Sequence, residues 1–224
     1  MSSEMTFEDS RHQMATAATR RRKTERAAEK PARERVFAVA ADLFYRKGIR
    51  AVGVEEIVNQ AGVAKISLYR SFKSKDELVV AYLEQRNAEF WRQWNERFAP
   101  VENDPRALLD AIMDYLASRT TQAGYRGCPF INYAIEFPEA SHPGHRVVEA
   151  NKREWRRRFI EIAEALGAPK PKLLADSLLL LVEGTYAISQ TLGGPKGPGV
   201  AIAAAAKAMV EGQMRNQALR TSTD

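Results

Sequence analysis

The sequence predicts an all-α protein, and three observations carry that reading. Beyond residue 32, apolar residues recur at three- and four-residue spacing along almost the whole chain. No stretch of useful length alternates apolar and polar positions as a half-buried strand does. Breaks that contain proline or glycine separate the periodic segments from about residue 100 onward.

The elements follow in order. Residues 1–32 mix Ser, Thr, Ala, Arg and Glu without an apolar stripe and read as a basic, flexible arm. From Arg33, the residues Val36, Phe37, Ala40, Leu43 and Phe44 make one helical face, and Gly48 stands where a helix ends. A short helix over about 54–61 presents Ile57, Val58 and Ala61, and Gly62 breaks it. A third helix begins near Ala64 and turns Leu68 and Phe72 inward. Ser74 caps a fourth, with Asp76 and Glu77 in the first turn, where the helix dipole favours acids. That helix runs to about Phe98 on a stripe of Val79, Leu83, Phe90, Trp94 and Phe98, and Pro100 stops it. Further helices are expected at about 105–123, 129–137, 144–167, 172–192 and 199–216.

Composition narrows the function. Of the 224 residues, 45% are apolar and 28% charged, as in an ordinary globular protein. The net charge of +6 is uneven: residues 1–35 carry nine Lys/Arg against six Asp/Glu, residues 36–75 seven against three, and the remainder 18 against 19. Positive charge gathered at the front suggests a polyanionic partner there, nucleic acid ahead of a membrane surface. The lone cysteine, Cys128, excludes an intrachain disulfide. The first thirty residues lack the apolar segment of a signal peptide, and no apolar run is long enough to span a bilayer, so the expected location is the cytoplasm.

The stretch "GVAKISLYRSFKSKDEL", residues 62–78, packs positive charge around a small apolar anchor. Two short helices joined by a glycine-containing turn form a helix-turn-helix, whose second helix enters the DNA major groove. Here "VEEIVNQAG" is the first helix, "VA" the turn and "KISLYRSF" the second. With Leu68 and Phe72 clamped inward, Lys65, Ile66, Ser67, Tyr69 and Arg70 remain for base edges and phosphates. Lys73 and Lys75 follow at the start of the fourth helix, where ammonium groups and free backbone N–H groups grip phosphate.

Residues 33–80 resemble the DNA-binding domain of TetR-family transcriptional repressors. The resemblance rests on Ala40, Ala41, Leu43, Phe44, Gly48, Ile57, Ala61-Gly62-Val63, Leu68-Tyr69, Phe72 and Ser74-Lys75. It implies phosphate contacts from Tyr69 and Lys75, and base contacts from Lys65, Ile66, Ser67 and Arg70. The chain departs from the family pattern at Gly53 and Ala64, where a hydroxyl residue is usual, and at Ser71, where His is common. Ser71 is nonetheless counted with the DNA-contacting set. The basic run Arg20–Lys23 is either a minor-groove arm or a solubilising tail.

The layout divides into the arm at 1–32, a helix-turn-helix domain at 33–78 and a helical ligand-binding and dimerisation domain at 79–224. In the last, the helix at 172–192 is apolar almost all round and the one at 199–216 contains "AIAAAAKAMV", whose small side chains admit a close neighbour. Two such hairpins about a two-fold axis would form the four-helix interface of a homodimer; the alternative is that both helices fill one subunit's core. A palindromic double-stranded operator would match paired recognition helices. The remaining helices are expected to enclose a cavity for a small-molecule effector, with Trp94, Tyr115, Cys128, Asn132, Tyr133, Glu136, Trp155 and Tyr186 as candidate contacts; each aromatic can equally be ordinary core.

Pro129 suits a first helical position, so Cys128 is the expected N-cap, where the dipole favours thiolate. It reads either as a sensing thiol or as a small buried apolar side chain. His142 and His145 flank Pro-Gly, with Glu149 further on; the ligand types suit a metal but the Pro-Gly spacing does not, and no metal is expected. No nucleophile–base arrangement or phosphate-binding glycine loop is present, so the chain reads as a regulator rather than an enzyme, and no cofactor is implied. The competing reading is an α-helical carrier or enzyme, or a regulator that is ligand-independent or an activator.

Overall fold

In a computed structural model, residues 31–221 are described, with side chains as far as Arg215. The basic run Arg20–Lys23 lies outside the described residues. Those described form nine α-helices and no strand.

Helix α1 (Ala32–Lys47) buries Val36, Ala40, Leu43 and Phe44. It stops at Gly48, whose φ of 93° and ψ of 151° lie in a region that only glycine enters freely. Helix α2 (Val54–Ala61) buries Ile57, Val58 and Ala61, and Gly62 ends it in the left-handed conformation at φ 62°. The Val63 N–H then returns to the Val58 carbonyl at 3.1 Å, closing the turn that aims the next helix. Helix α3 (Lys65–Ser71) is seven residues long and packs on α1 and α2 through Leu68, followed by Phe72; both are fully buried.

Ser74 caps helix α4 (Lys75–Phe98) as expected. Its hydroxyl accepts from the Glu77 N–H at 3.0 Å, while the Glu77 carboxylate accepts from the Lys73 N–H at 2.7 Å. With 24 residues, α4 spans roughly 36 Å and joins the helix-turn-helix domain to the far end of the larger one.

The larger domain comprises α5 (Pro105–Thr120), α6 (Pro129–Glu136), α7 (His145–Ala165), α8 (Pro171–Ile188) and α9 (Ile202–Thr221). Helix α8 lies along α7, and α9 packs on α5 and α8. Ion pairs Glu149–Arg153 and Arg157–Glu161 lie on the exposed side of α7, the pair Glu154–Arg158 is half-buried, and Trp155 and Phe159 are buried.

Several boundaries differ from expectation: α5 ends at Thr120 rather than 123, α7 runs from His145 to Ala165 rather than 144–167, and α9 extends to Thr221 rather than 216. Helix α8 ends at Ile188 because residues 189–192 fold into tight turns, with the Leu192 N–H returning to the Ile188 carbonyl at 2.8 Å. The loop closes at Gly197, where a Cβ would sit 1.9 Å from the Leu192 carbonyl oxygen. Pro198–Ala201 is a 3-10 turn, so α9 starts at Ile202 rather than near 199. No helix of the described residues is long and apolar enough to cross a membrane.

Candidate nucleic-acid interface

Helix α3 is pinned from inside and bare outside. Leu68 and Phe72 are buried, whereas Ile66 is 60% exposed and Tyr69 45% exposed; Lys65 and Arg70 are exposed beside them. An isoleucine and a tyrosine held out in water next to two cations make a surface for thymine methyls, base edges and phosphates. Ser67 and Ser71 are half-buried, and the Ser71 hydroxyl donates to the Ser67 carbonyl at 2.9 Å.

The helix is positioned from both ends. Neither Gly53 nor Ala64 supplies a side-chain cap, in keeping with their residue types. At the C-terminal end Arg33 donates to the Ser71 carbonyl at 3.0 Å and lies 4.5 Å over the Phe72 ring, a role its place in the sequence did not signal. Lys65 pairs with Glu55 of α2 at 2.5 Å, a hydrogen bond that raises its pKa. Both groups are more than half exposed, so the pair is weak and readily exchanged for a nucleic-acid contact.

The two following lysines differ. Lys73 is exposed. Lys75 turns inward: its ammonium donates to the Ile49 carbonyl at 2.6 Å and faces the Phe44 ring at 6.0 Å. Burial pushes its pKa below the usual lysine range, with Glu136 opposing.

The comparisons agree with this geometry. The profile of bacterial regulatory proteins of the tetR family matches residues 36–82. A crystal structure of a tetR-type transcriptional regulator from Streptomyces avermitilis is 30% identical, covers 81% of this chain and 97% of that one, and superposes with a TM-score of 0.72. The chain belongs to the TetR family. A second TetR-family regulator, from Streptomyces coelicolor, shares 26% identity over 84% of this chain and 96% of that one, also with a TM-score of 0.72. Among curated proteins, the transcriptional repressor KstR2 of Mycolicibacterium smegmatis is 25% identical over 170 residues, 74% of this chain and 81% of the relative. As a TetR-family protein the chain is a DNA-binding transcriptional regulator, not an enzyme.

In this TetR-family chain the larger domain grips the helix-turn-helix domain directly. The Arg50 N–H donates to Glu136 at 2.6 Å, and the Arg50 guanidinium bonds Glu139 at 3.0 Å while lying 5.0 Å over Phe137. Tyr45 of α1 accepts from the Arg126 N–H at 3.0 Å and donates to the Gly127 carbonyl at 3.3 Å. His142, whose Nδ1 accepts from the Gly144 N–H at 3.2 Å, presents Nε2 to Asp76 at 3.5 Å.

A cavity of about 150 Å³ lies beside these contacts, walled by α4, α5, α6, α7 and α8 together with Tyr45. Of the sequence-predicted ligand contacts it gathers Tyr115, Cys128, Trp155 and Tyr186. It does not gather the other four. Trp94 lies in an aromatic nest with Trp91 and Trp155. Asn132 donates to the Arg126 carbonyl at 2.7 Å, Tyr133 bonds His142 at 2.7 Å, and Glu136 serves Arg50.

Cys128 is the α6 N-cap but makes no side-chain cap bond. It is buried, and burial pushes its thiol up despite Lys152 at 3.7 Å. That environment suits a packed apolar side chain better than a thiolate. A larger groove, about 420 Å³, lies at the other end of α4. Its cations Arg157 and Arg158 are both paired with Glu154, so their charges are met from within the chain.

Proposed function

We propose that the chain is a homodimeric repressor that binds a palindromic operator through α3 and leaves it when a small molecule fills the 150 Å³ cavity. The observation that carries this reading is the seven-residue α3, clamped by Leu68 and Phe72 with Ile66, Tyr69 and Arg70 turned outward. Lys65, Ile66, Ser67 and Arg70 read base edges. Tyr69, Ser71, Lys73 and Lys75 serve the backbone, Lys75 through its place at the start of α4 and after release from the Ile49 carbonyl. Domain limits at 33–78 and 79–224 follow from this division of labour.

Dimerisation is supported by α8 and α9. Leu173 and Leu180 stand 54% and 73% exposed on α8, in register with Ser177 and Gly184, and α9 offers Ala204 and Ala208 on its outer side, with Ala201 exposed in the turn before it. An apolar face rimmed by small residues is what a second copy would cover. Release is supported by Tyr45: a residue of the DNA-reading domain forms part of the cavity wall and bonds the Arg126–Gly127 backbone. A ligand that shifts that wall favours one spacing of the two α3 helices, by a coupling of about 1–3 kcal/mol.

Selection of bound sequences from random DNA tests the proposal. A palindrome with half-sites about one helical turn apart, roughly 34–36 Å, is expected. A single unrepeated half-site would overturn the dimeric reading, and failure to enrich any sequence would overturn operator recognition.

A further inference from the structure

We infer that the cavity beside Tyr45 takes a small planar aromatic carboxylate carrying a second, hydrogen-bond-donating group such as a ring hydroxyl. The inference rests on the ligand-binding reading above and narrows it to a chemical class.

Size and shape come first. About 150 Å³ is the size at which an engineered apolar cavity takes up benzene, so one ring with small substituents fits. Phe90, Tyr115, Phe130, Trp155 and Tyr186 supply flat walls from five helices, suited to stacking and edge contacts with a ring.

Charge comes next. Arg86 and Arg119 both line the cavity, and among the described residues neither lies within ion-pair distance of a carboxylate. Arg86 instead lies over the rings of Tyr45 and Tyr82, at 5.3 and 5.5 Å, and Arg119 over Tyr125 at 5.4 Å. The one cavity carboxylate, Glu89, is committed to Arg92 and Gln93, which hold its pKa below the usual range. Burial keeps the phenols of Tyr125 and Tyr186 protonated. The lining is therefore cationic with neutral donors, the setting for an anion.

Two orphaned atoms complete the pattern. Arg86 Nε is buried without an acceptor, and Asn151 Oδ1 is buried without a donor although the residue is only 1% exposed. The Asn151 amide nitrogen is already spent on Asn87 at 2.9 Å, so its oxygen is left for something that donates. Buried polar atoms of native proteins are nearly always satisfied. Both atoms are shut off from the cavity in this conformation, so Arg86 and Asn151 would turn toward it for a carboxylate and a hydroxyl on one ring to satisfy them.

Calorimetric titration of the full-length protein with 4-hydroxybenzoate, 4-hydroxybenzamide and benzoate tests this. The acid should bind on the order of 10–100-fold more tightly than the isosteric neutral amide, since a charge-assisted contact is lost, and about tenfold more tightly than benzoate. In Arg86→Gln the preference for acid over amide should fall to near parity. If thermal unfolding shows that this variant does not fold, Arg86→Lys, which keeps a charge but loses the planar fork, should still prefer the acid but by a smaller factor, and an undiminished preference would overturn the role of Arg86. Equal binding of acid and amide by the wild type, or no binding of the acid at millimolar concentration, overturns the class. A mobility shift on the selected DNA separates the two proposals. Acid that binds in the expected order yet leaves the complex intact sinks release but keeps the ligand class. Absence of binding sinks the class and leaves release open to a different effector.

Discussion

Arg70, Lys73 and Lys75 are three cations within six positions, and their surroundings assign them different work. Arg70 stands exposed on α3, so Arg70→Ala should cost about 1–3 kcal/mol of operator binding and relax the preferred sequence, as read from competition with operator variants. Lys73→Ala should weaken all DNA alike and lower the slope of log affinity against log salt by about one. Lys75→Ala should do the same and also reduce unfolding stability by about 1 kcal/mol, because the Ile49 carbonyl loses its partner. Gly48 is a second residue with a narrow tolerance. Its backbone conformation favours glycine, and a Cβ there would come 3.1 Å from Glu136. Gly48→Ala should cost about 1–3 kcal/mol in urea unfolding, and a loss below that range would mean the turn relaxes freely.

Among the elements, α4 depends on its first turn. Ser74 accepts from the Glu77 N–H and Glu77 from the Lys73 N–H, so Ser74→Ala should lower stability by about 1 kcal/mol, measured by urea denaturation. This helix was legible in the sequence for the same reason: cap, acidic first turn and apolar stripe are all local signals. Helices α1 to α3 were legible likewise, through Gly48 and Gly62 and the inward spacing of Leu68 and Phe72. The cavity was not. Tyr45, Arg86, Asn151 and Tyr186 come from four different helices, and only packing brings them to one wall. Glu136 was visible as a candidate contact, yet its partner Arg50 lies 86 positions away, beyond any periodicity. Trp94 and Tyr133 were visible as aromatics, but the sequence carries no sign of which aromatics face a void and which face one another.

For the whole molecule, the decisive question is what covers α8. Leu180 is 73% exposed, so replacing it should leave the subunit's own core intact. Leu180→Glu should convert a dimer to a monomer in sedimentation velocity with little change in helix content, and a dimer that survives would place the interface elsewhere. The three tryptophans of the chain have a further bearing on the molecule as a whole. Trp91, Trp94 and Trp155 stand with ring centroids 4.8 to 6.0 Å apart, in one nest of the larger domain, and the DNA-reading domain has none. Intrinsic indole emission is therefore a built-in optical gauge of the larger domain alone, and a change in it on adding DNA would signal a message passed between the domains.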